Sequence, residues 1–223
     1  MTLPGEIDYP ALYANFDAPI AAFDCGVYCA PHNRNAVPFC CDIQHAVPAV
    51  YKGEWVYLRA HTDLWRPWQG RSEAETRRLE EDTPESMLLL ECKGHHMCQR
   101  DFRSLSCRAF PFFPYITRDG WFAGMTYYWQ YEDTCWVISN LGVVTARFHA
   151  EFMAAFDEVL YRIPGELENY RALSASMRRV FGRWRRAIPL LGRNGGFYKV
   201  TPHNGRMRRA DLERLPKFGP YKS

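Results

Sequence analysis

The 223-residue chain has no long apolar run. Stretches such as Met87 to Leu90 fall far short of the ~20 residues a membrane-spanning helix needs. The first ten residues carry Glu6 and Asp8 and lack the basic start and apolar stretch of a secretory signal. A cytoplasmic, reducing location without membrane association is therefore expected. There is no internal repeat, no low-complexity tract and no glycine-rich loop opening a helix after a strand. The glycines of Gly192-Arg193-Asn194-Gly195-Gly196 sit in a basic segment, so a dinucleotide-type fingerprint is excluded. Cysteine is too sparse for a disulfide scaffold, eight residues in all, where short stapled chains reach ~8–10%. The neighbours Cys40 and Cys41 are also poorly placed to bridge each other.

What the chain does contain is an ordinary apolar share and an aromatic share of 15%, which predicts a core rich in Phe, Tyr and Trp. Its length allows one domain with an appendage or two small domains. Seven of the eight cysteines fall between Cys25 and Cys107, in two groups: Cys25, Cys29, Cys40 and Cys41, then Cys92, Cys98 and Cys107. The eighth, Cys135, reads as a bystander. Redox pairs and inert core cysteines are alternatives, but the polar, Gly and Pro residues around the groups favour a thiolate-rich metal centre. Soft thiolates select zinc, copper(I) or iron–sulfur clusters. Cys25 and Cys29 have a spacing usual for two ligands of one metal; Cys92 and Cys98 are looser but workable across a turn.

Seven thiols exceed the four that a mononuclear zinc or a four-iron cluster takes. Either some only pack nearby or the centre is polynuclear. Lys93, Arg100, Arg103 and Arg108 are candidate donors to sulfur, Arg108 foremost because it follows Cys107. His32, His95 and His96 are lesser ligand candidates, and Asp42 fits a turn or cap better than a ligand.

The local patterns give an α+β protein. An extended lead-in through Phe23 precedes a loop at Ala30 to Phe39. A helix is expected over Glu54 to Trp65, and a second from the Ser72 capping box to about Glu81. A short strand spans Met87 to Cys92, with a turn at Lys93-Gly94, and a hairpin covers Tyr115 to Trp129 about Asp119-Gly120. Two amphipathic helices follow, Thr145 to Ile163 and Glu166 to Arg186. Beyond Pro189 only Phe197 to Thr201 shows a pattern. The expected organisation is a cysteine-cluster metal-binding domain of short strands and helices (1–141), a two-helix hairpin (142–187) and a basic tail (188–223). From Ser174 onward there are thirteen Lys or Arg against Asp211 and Glu213, while the whole chain carries only +3. An acidic body with a basic tail implies docking of one on the other, or a protein or nucleic-acid partner for the tail.

Cys25…Cys29…Cys40-Cys41-Asp42, followed by Cys92…Cys98…Cys107-Arg108-Ala109-Phe110-Pro111-Phe112, resembles the YkgJ-type cysteine-cluster family over roughly residues 22–116. That family is described as a zinc- or iron-chelating domain, and flagellin lysine N-methylases are related to it. Two departures are visible: ten residues separate Cys29 from Cys40 where the family has a few, and Arg103-Ser104 stands where Arg-Pro is common. The resemblance implies Cys25, Cys29, Cys41, Cys92, Cys98 and Cys107 as ligands, with Cys40 next. A metal-binding protein with a zinc or iron–sulfur centre is the leading expectation. The alternatives are an iron–sulfur-dependent protein lysine N-methyltransferase using S-adenosylmethionine, and a nucleic-acid-binding protein acting through the tail.

Overall fold

Continuous apolar runs and helix-period stripes divide the chain between two antiparallel sheets and the helices packed on them. The computed structural model describes residues 6–222, without the side chain of Glu213. In chain order the elements are α1 Tyr9–Ala14, α2 Gly26–Cys29, β1 Ala49–Tyr51, α3 Lys52–His61, β2 Trp65–Pro67, α4 Glu73–Glu81, β3 Met87–Cys92 and α5 Leu105–Ala109. They continue as β4 Phe112–Ile116, β5 Phe122–Tyr127, α6 Ala146–Arg162, α7 Glu166–Arg183, β6 Ile188–Gly192, β7 Phe197–Val200 and β8 Met207–Arg209. The α+β class is as expected.

The small sheet has the order β1-β3-β2. β1 pairs with the first half of β3, Ala49 opposite Leu89, and β2 with the second, Trp65 opposite Cys92. Cys92 is thus held at the end of a central strand. The lead-in is not extended throughout, because Asp8 caps α1 by accepting from the Ala11 N–H at 3.0 Å. An Asp followed by Tyr-Pro is a helix-start signal, with proline tolerated in the first turn; Met1 to Gly5 lie outside the described residues. The α3 helix starts earlier and stops sooner than the pattern implied, and Trp65 belongs to β2 instead. Helix α4 begins at Ser72 as expected, with Ser72 Oγ accepting from the Glu75 N–H; the Glu75 carboxylate accepts from the Arg71 N–H, one residue beyond the usual box.

The larger sheet runs in chain order, β4-β5-β6-β7-β8. Its first hairpin turns where Asp119-Gly120 predicts, with Gly120 at φ 86°. Strand β4 starts at Phe112, before the expected Tyr115, and includes Pro114. Proline is tolerated there because β4 is an edge strand. Helix α7 covers the end of that edge: Ser174 Oγ accepts from the Ile116 N–H and Arg178 donates to the Ile116 carbonyl, both at 2.9 Å. Every residue of β4 and β5 is buried. Helix α6 is capped by Thr145 and sends Phe148, Phe152, Phe156 and Val159 into the core, where Phe16, Phe148 and Phe152 interlock.

The chain after Pro189 is not a tail of little regular structure. Ile188 to Arg209 supplies three strands, and Pro189 lies inside β6 rather than merely ending a helix. β6 pairs with β5 only at Leu191 and Gly192, so no ladder bond to β5 is demanded of Pro189. The Thr126 hydroxyl donates to the Pro189 carbonyl instead, at 2.8 Å. At the crossing, Gly124 has φ 150° and a Cβ there would collide with the Leu191 carbonyl. Only glycine lets the two strands approach.

The sheet therefore crosses the expected divisions at 141/142 and 187/188, and one apolar cluster extends from Ile7 to Phe218. Among the described residues no helix is long and apolar enough to cross a membrane.

Because β6 to β8 complete the sheet and Ile188, Leu190 and Val200 are buried, a chain ending at residue 187 is expected to lose cooperative unfolding and near-ultraviolet circular dichroism. A truncated chain with a sharp thermal transition like the full protein's would show that the last strands are dispensable.

Candidate metal centre

The second cysteine group is positioned by two buried side chains. Glu54, on α3, accepts from the Tyr13 hydroxyl and the Leu105 N–H, both at 2.5 Å, and from the Tyr51 N–H. These bonds tie α1, α3 and the start of α5 to one carboxylate. Arg108, on α5, donates to the backbone carbonyls of Phe16 at 2.7 Å and Asp101 at 2.8 Å, and also to those of Tyr13, Arg100 and Arg103. Its guanidinium lies over the Tyr13 ring at 4.4 Å. Arg108 is thus a structural brace between α1 and the 100–103 turn. The expectation that it is the foremost donor to sulfur is corrected, since its donors are directed to carbonyls.

Arg103 takes the place near sulfur instead. Its side chain bonds Cys98 and lies within electrostatic reach of Cys107 and Cys41. Burial alone would lower its pKa, but these thiols raise it. Lys93 pairs with Asp63 instead of sulfur. Cys92 sits at the end of β3, Cys98 after the turn His95–Met97, and Cys107 within α5, whose Ser104 cap accepts from the Cys107 N–H at 3.3 Å.

The first group is held by α2 and by the loop after it. Cys25 and Cys29 flank the single turn of α2, and the Asp24 carboxylate accepts from the Gly26 N–H. Asp42 is buried. Its carboxylate accepts from the side chains of Asn33 and Asn35 and from the Gln44 N–H, at 2.8–3.0 Å. Burial acts to raise its pKa, yet those donors outweigh it and hold the carboxyl below its usual range. Asp42 therefore has the turn role expected of it, closing the loop that carries Cys40 and Cys41 in the short turn Phe39–Cys41.

The two groups meet at Cys41. It lies within electrostatic reach of Cys25 and Cys29 on one side and of Cys92 and Cys107 on the other, besides its neighbour Cys40. The Cys40 and Cys41 sulfurs are 4.0 Å apart. Two thiolates on one tetrahedral zinc, each at ~2.3 Å, stand about 3.8 Å apart, so this separation is close to that of a shared metal. Cys135 is no bystander in space: it faces Cys25, Cys29 and Cys40. Nothing in its sequence spacing marks it; a 3-10 turn beginning at Trp136 brings it to the others. All eight cysteines are free. His95 and His96 are exposed and pack against each other, and His32 packs on Tyr221.

The thiols are gathered without being drawn into a closed ligand set. Among the described residues no three His, Cys, Asp or Glu side chains are arranged tightly enough to hold a metal ion. Burial raises Cys25 to about 11 and Cys107 and Cys135 to about 12, and it also raises Cys29 and Cys92; neighbouring thiols add to each shift. The Cys40–Cys41 pair behaves differently. A hydrogen bond from Cys40, helped by Arg103, lowers Cys41 to about 7, and the same bond raises Cys40, which is itself exposed at the surface.

No family model matches the chain, and no curated protein or solved structure shows significant similarity to it.

Thiolate is the reactive form, so alkylation should rank the cysteines. In reduced, metal-free protein Cys41 is expected to react with iodoacetamide first, its rate rising with pH about a midpoint near 7. Cys107 and Cys135 should be last. Replacing Arg103 by Gln should move the Cys41 midpoint upward. Peptide mapping by mass spectrometry checks the order; Cys107 reacting ahead of Cys41 would refute this electrostatic ranking.

Proposed function

We propose that the chain is a metal-binding protein whose cysteine cluster holds a zinc or iron–sulfur centre, of the kind found in the YkgJ-type family it resembles. The observation that carries this reading is the meeting of the two cysteine groups at Cys41. Four cysteines close by in sequence could gather for many reasons. Cys41 with Cys92 and Cys107 is a long-range convergence on a single polar locus, with a guanidinium beside it. Inert core cysteines would be dispersed through the apolar cluster. Here only Cys29 is fully buried; Cys25, Cys92, Cys107 and Cys135 are half-buried against that cluster, and Cys40 is exposed.

Cys25, Cys29, Cys41, Cys92, Cys98 and Cys107 would hold the metal, with Cys40 and Cys135 at its border. A bound cation supplies the charge that lets several neighbouring thiols ionise together. Arg103 donates toward the sulfur of Cys98 and offsets part of the net −2 that four thiolates leave on a zinc. The same pull would close the gathered thiols into a ligand set. The four-residue α2 and the 3-10 turns at Phe39–Cys41 and His95–Met97 are short elements that can adjust without disturbing either sheet.

Protein purified anaerobically under reducing conditions is expected to contain zinc, or iron with inorganic sulfide, and to lose thermal stability when stripped by a chelator. Cys41→Ser should abolish metal retention, whereas Cys135→Ser should weaken it less. Metal-free protein that takes up neither metal, with Cys41→Ser melting at the wild-type temperature, would refute the proposal.

An aromatic cleft beside the cluster favours a second reading, an iron–sulfur-dependent protein lysine N-methyltransferase. Tyr28 and Trp136 stack at 4.4 Å, and with His32, Lys217 and Tyr221 they line a cleft of 230 Å³. Tyr221 packs on Cys29 behind it. Electron-rich ring faces attract onium cations, and the sulfonium of S-adenosylmethionine is one. On this reading the cofactor raises the melting temperature of metal-loaded protein, and Trp136→Ala removes the shift. No shift at saturating cofactor would eliminate the methyltransferase and leave the metal site standing.

A further inference from the structure

The second concave feature of the molecule is basic and has no connection to the thiols. Helix α7, the β4–β5 turn and the β7–β8 turn enclose an open groove of 540 Å³. Ala175 and Gly182 form its small-residue floor, and Arg118, Arg179, Arg183 and His203 stand around it. Arg179 and Arg183 are one helical turn apart on α7 and both are exposed. Arg118 is fixed across the groove by donating to the carbonyls of Pro202 and His203, at 3.2 and 2.5 Å.

Several of the protein's other helix and tail cations are committed. Arg186 is paired with Glu132, Arg193 with Asp157, Arg171 with Glu168 and Arg162 with Glu158. Among the described residues, Arg118, Arg179 and Arg183 form no ion pair. The acid next to the groove, Asp119, accepts from Thr117. The helix dipole accounts for Arg183, in the last turn of α7, but not for Arg118 or Arg179.

Two features indicate a chain-like ligand. The groove is open along its length and does not enclose a small molecule. Its far wall is the β7–β8 turn, which Arg206 closes through its carbonyl and N–H and which leads in sequence to the exposed strand carrying Arg208 and Arg209. Trp121, 52% exposed, adjoins the arginine-bearing turn, whereas Trp184 at the helix end already packs on Phe181 and the Arg186 guanidinium. Arginines that track a backbone, beside aromatic faces free to stack on bases, are the elements of single-strand recognition.

We propose that this groove binds the phosphodiester backbone of single-stranded nucleic acid. Arg118, Arg179 and Arg183 contact phosphates and the exposed Trp121 receives an unstacked base. The site differs from a basic tail acting as a loose arm. Arg186 and Arg193 are already paired and Phe197 is buried, so those residues are not free to read a ligand.

The test is fluorescence anisotropy of the full chain with a labelled oligothymidylate of about 12 nucleotides, within the usual single-strand site sizes. Affinity should fall with rising salt. The double variant Arg179→Ala, Arg183→Ala should bind at least about tenfold more weakly, with a salt slope shallower by about 1.4, the value for two lost single-strand phosphate contacts. Arg179→Lys, Arg183→Lys should retain most of the binding, since a phosphate accepts a point charge. Arg66→Ala, which breaks an exposed pair with Glu91 on the other sheet, should change nothing. Unchanged affinity in the alanine double variant would overturn the proposal. So would equal affinity for a duplex of the same length, or full displacement by inorganic pyrophosphate at matched phosphate concentration, which would assign the groove to small phosphorylated ligands.

Discussion

The buried carboxylate of Glu54 is the interaction on which the arrangement of the thiols depends. Taking a carboxylate out of water costs several kcal/mol, and burial raises the pKa of this one. Each hydrogen bond to a charged group returns roughly 1.5–3 kcal/mol, and Glu54 accepts three, from Tyr13, Leu105 and Tyr51. The balance is near zero in stability but large in geometry. Three elements distant in sequence must meet at one point, and the start of the helix bearing Cys107 is one of them. Arg108, one residue beyond Cys107, performs the complementary task with donors. Its guanidinium donates to the carbonyl of Phe16, just after α1, and to those of Arg100 and Asp101 in the 100–103 turn, which pins the two segments together.

With the second group fixed in this way, the first group is the adjustable part. It hangs on a one-turn helix and on a loop organised by Asp42. A thiol-rich site without a cation faces a conflict, because each ionisation makes the next harder in a half-buried setting. The raised Cys25, Cys107 and Cys135 record that conflict, and the Cys40–Cys41 pair relieves it locally by sharing a proton. Arg103 supplies positive charge on one side only. Among the described residues the thiols are spaced wider than a formed ligand set. On the proposed reading a metal would supply the missing attraction, and its affinity would fall at low pH, where the thiols are protonated.

Much of the architecture was legible in the sequence. The helix stripes of α6 and α7, the Ser72 cap, the Asp119-Gly120 turn and the apolar run of β3 each carry a local signal that tertiary contacts reinforced. The misses have physical causes. Pro189 reads as a breaker, but it pairs with β7 where no ladder bond to β5 is required, and Pro114 is tolerated on an edge strand. Only β7 carried a local pattern, at Phe197 to Thr201; β6 forms by pairing with β5 across two intervening helices, and β7 and β8 add to it in turn, a long-range effect that local pattern does not report. Within the site, the two cysteine groups were visible and their meeting at Cys41 was not. Arg108 and Arg103 exchanged expected roles because adjacency to a cysteine says nothing about where a side chain points after one helical turn. Cys135 joined the cluster through the path of the chain after the hairpin, which spacing cannot encode.

Charge shows the same lesson from the other direction. Thirteen cations in the last fifty residues look like one basic tail, yet the fold separates them by use. Arg178 is spent on the exposed carbonyl of β4. Arg186 and Arg193 neutralise Glu132 and Asp157 of the acidic body, so part of the docking expected between tail and body takes the form of two bidentate pairs. Arg208 and Arg209 lie on an exposed edge strand, where charge discourages pairing with another chain. Arg179 and Arg183, together with Arg118, a cation from outside the tail that is tied to carbonyls alone, form no ion pair among the described residues and share one groove. Cations with no carboxylate to satisfy repel one another across a shared groove, which costs stability unless something anionic occupies it. A net-charge count would have assigned the ligand to the tail as a whole. Setting the paired arginines aside leaves a smaller set of cations, and three of the remaining arginines line a concave surface.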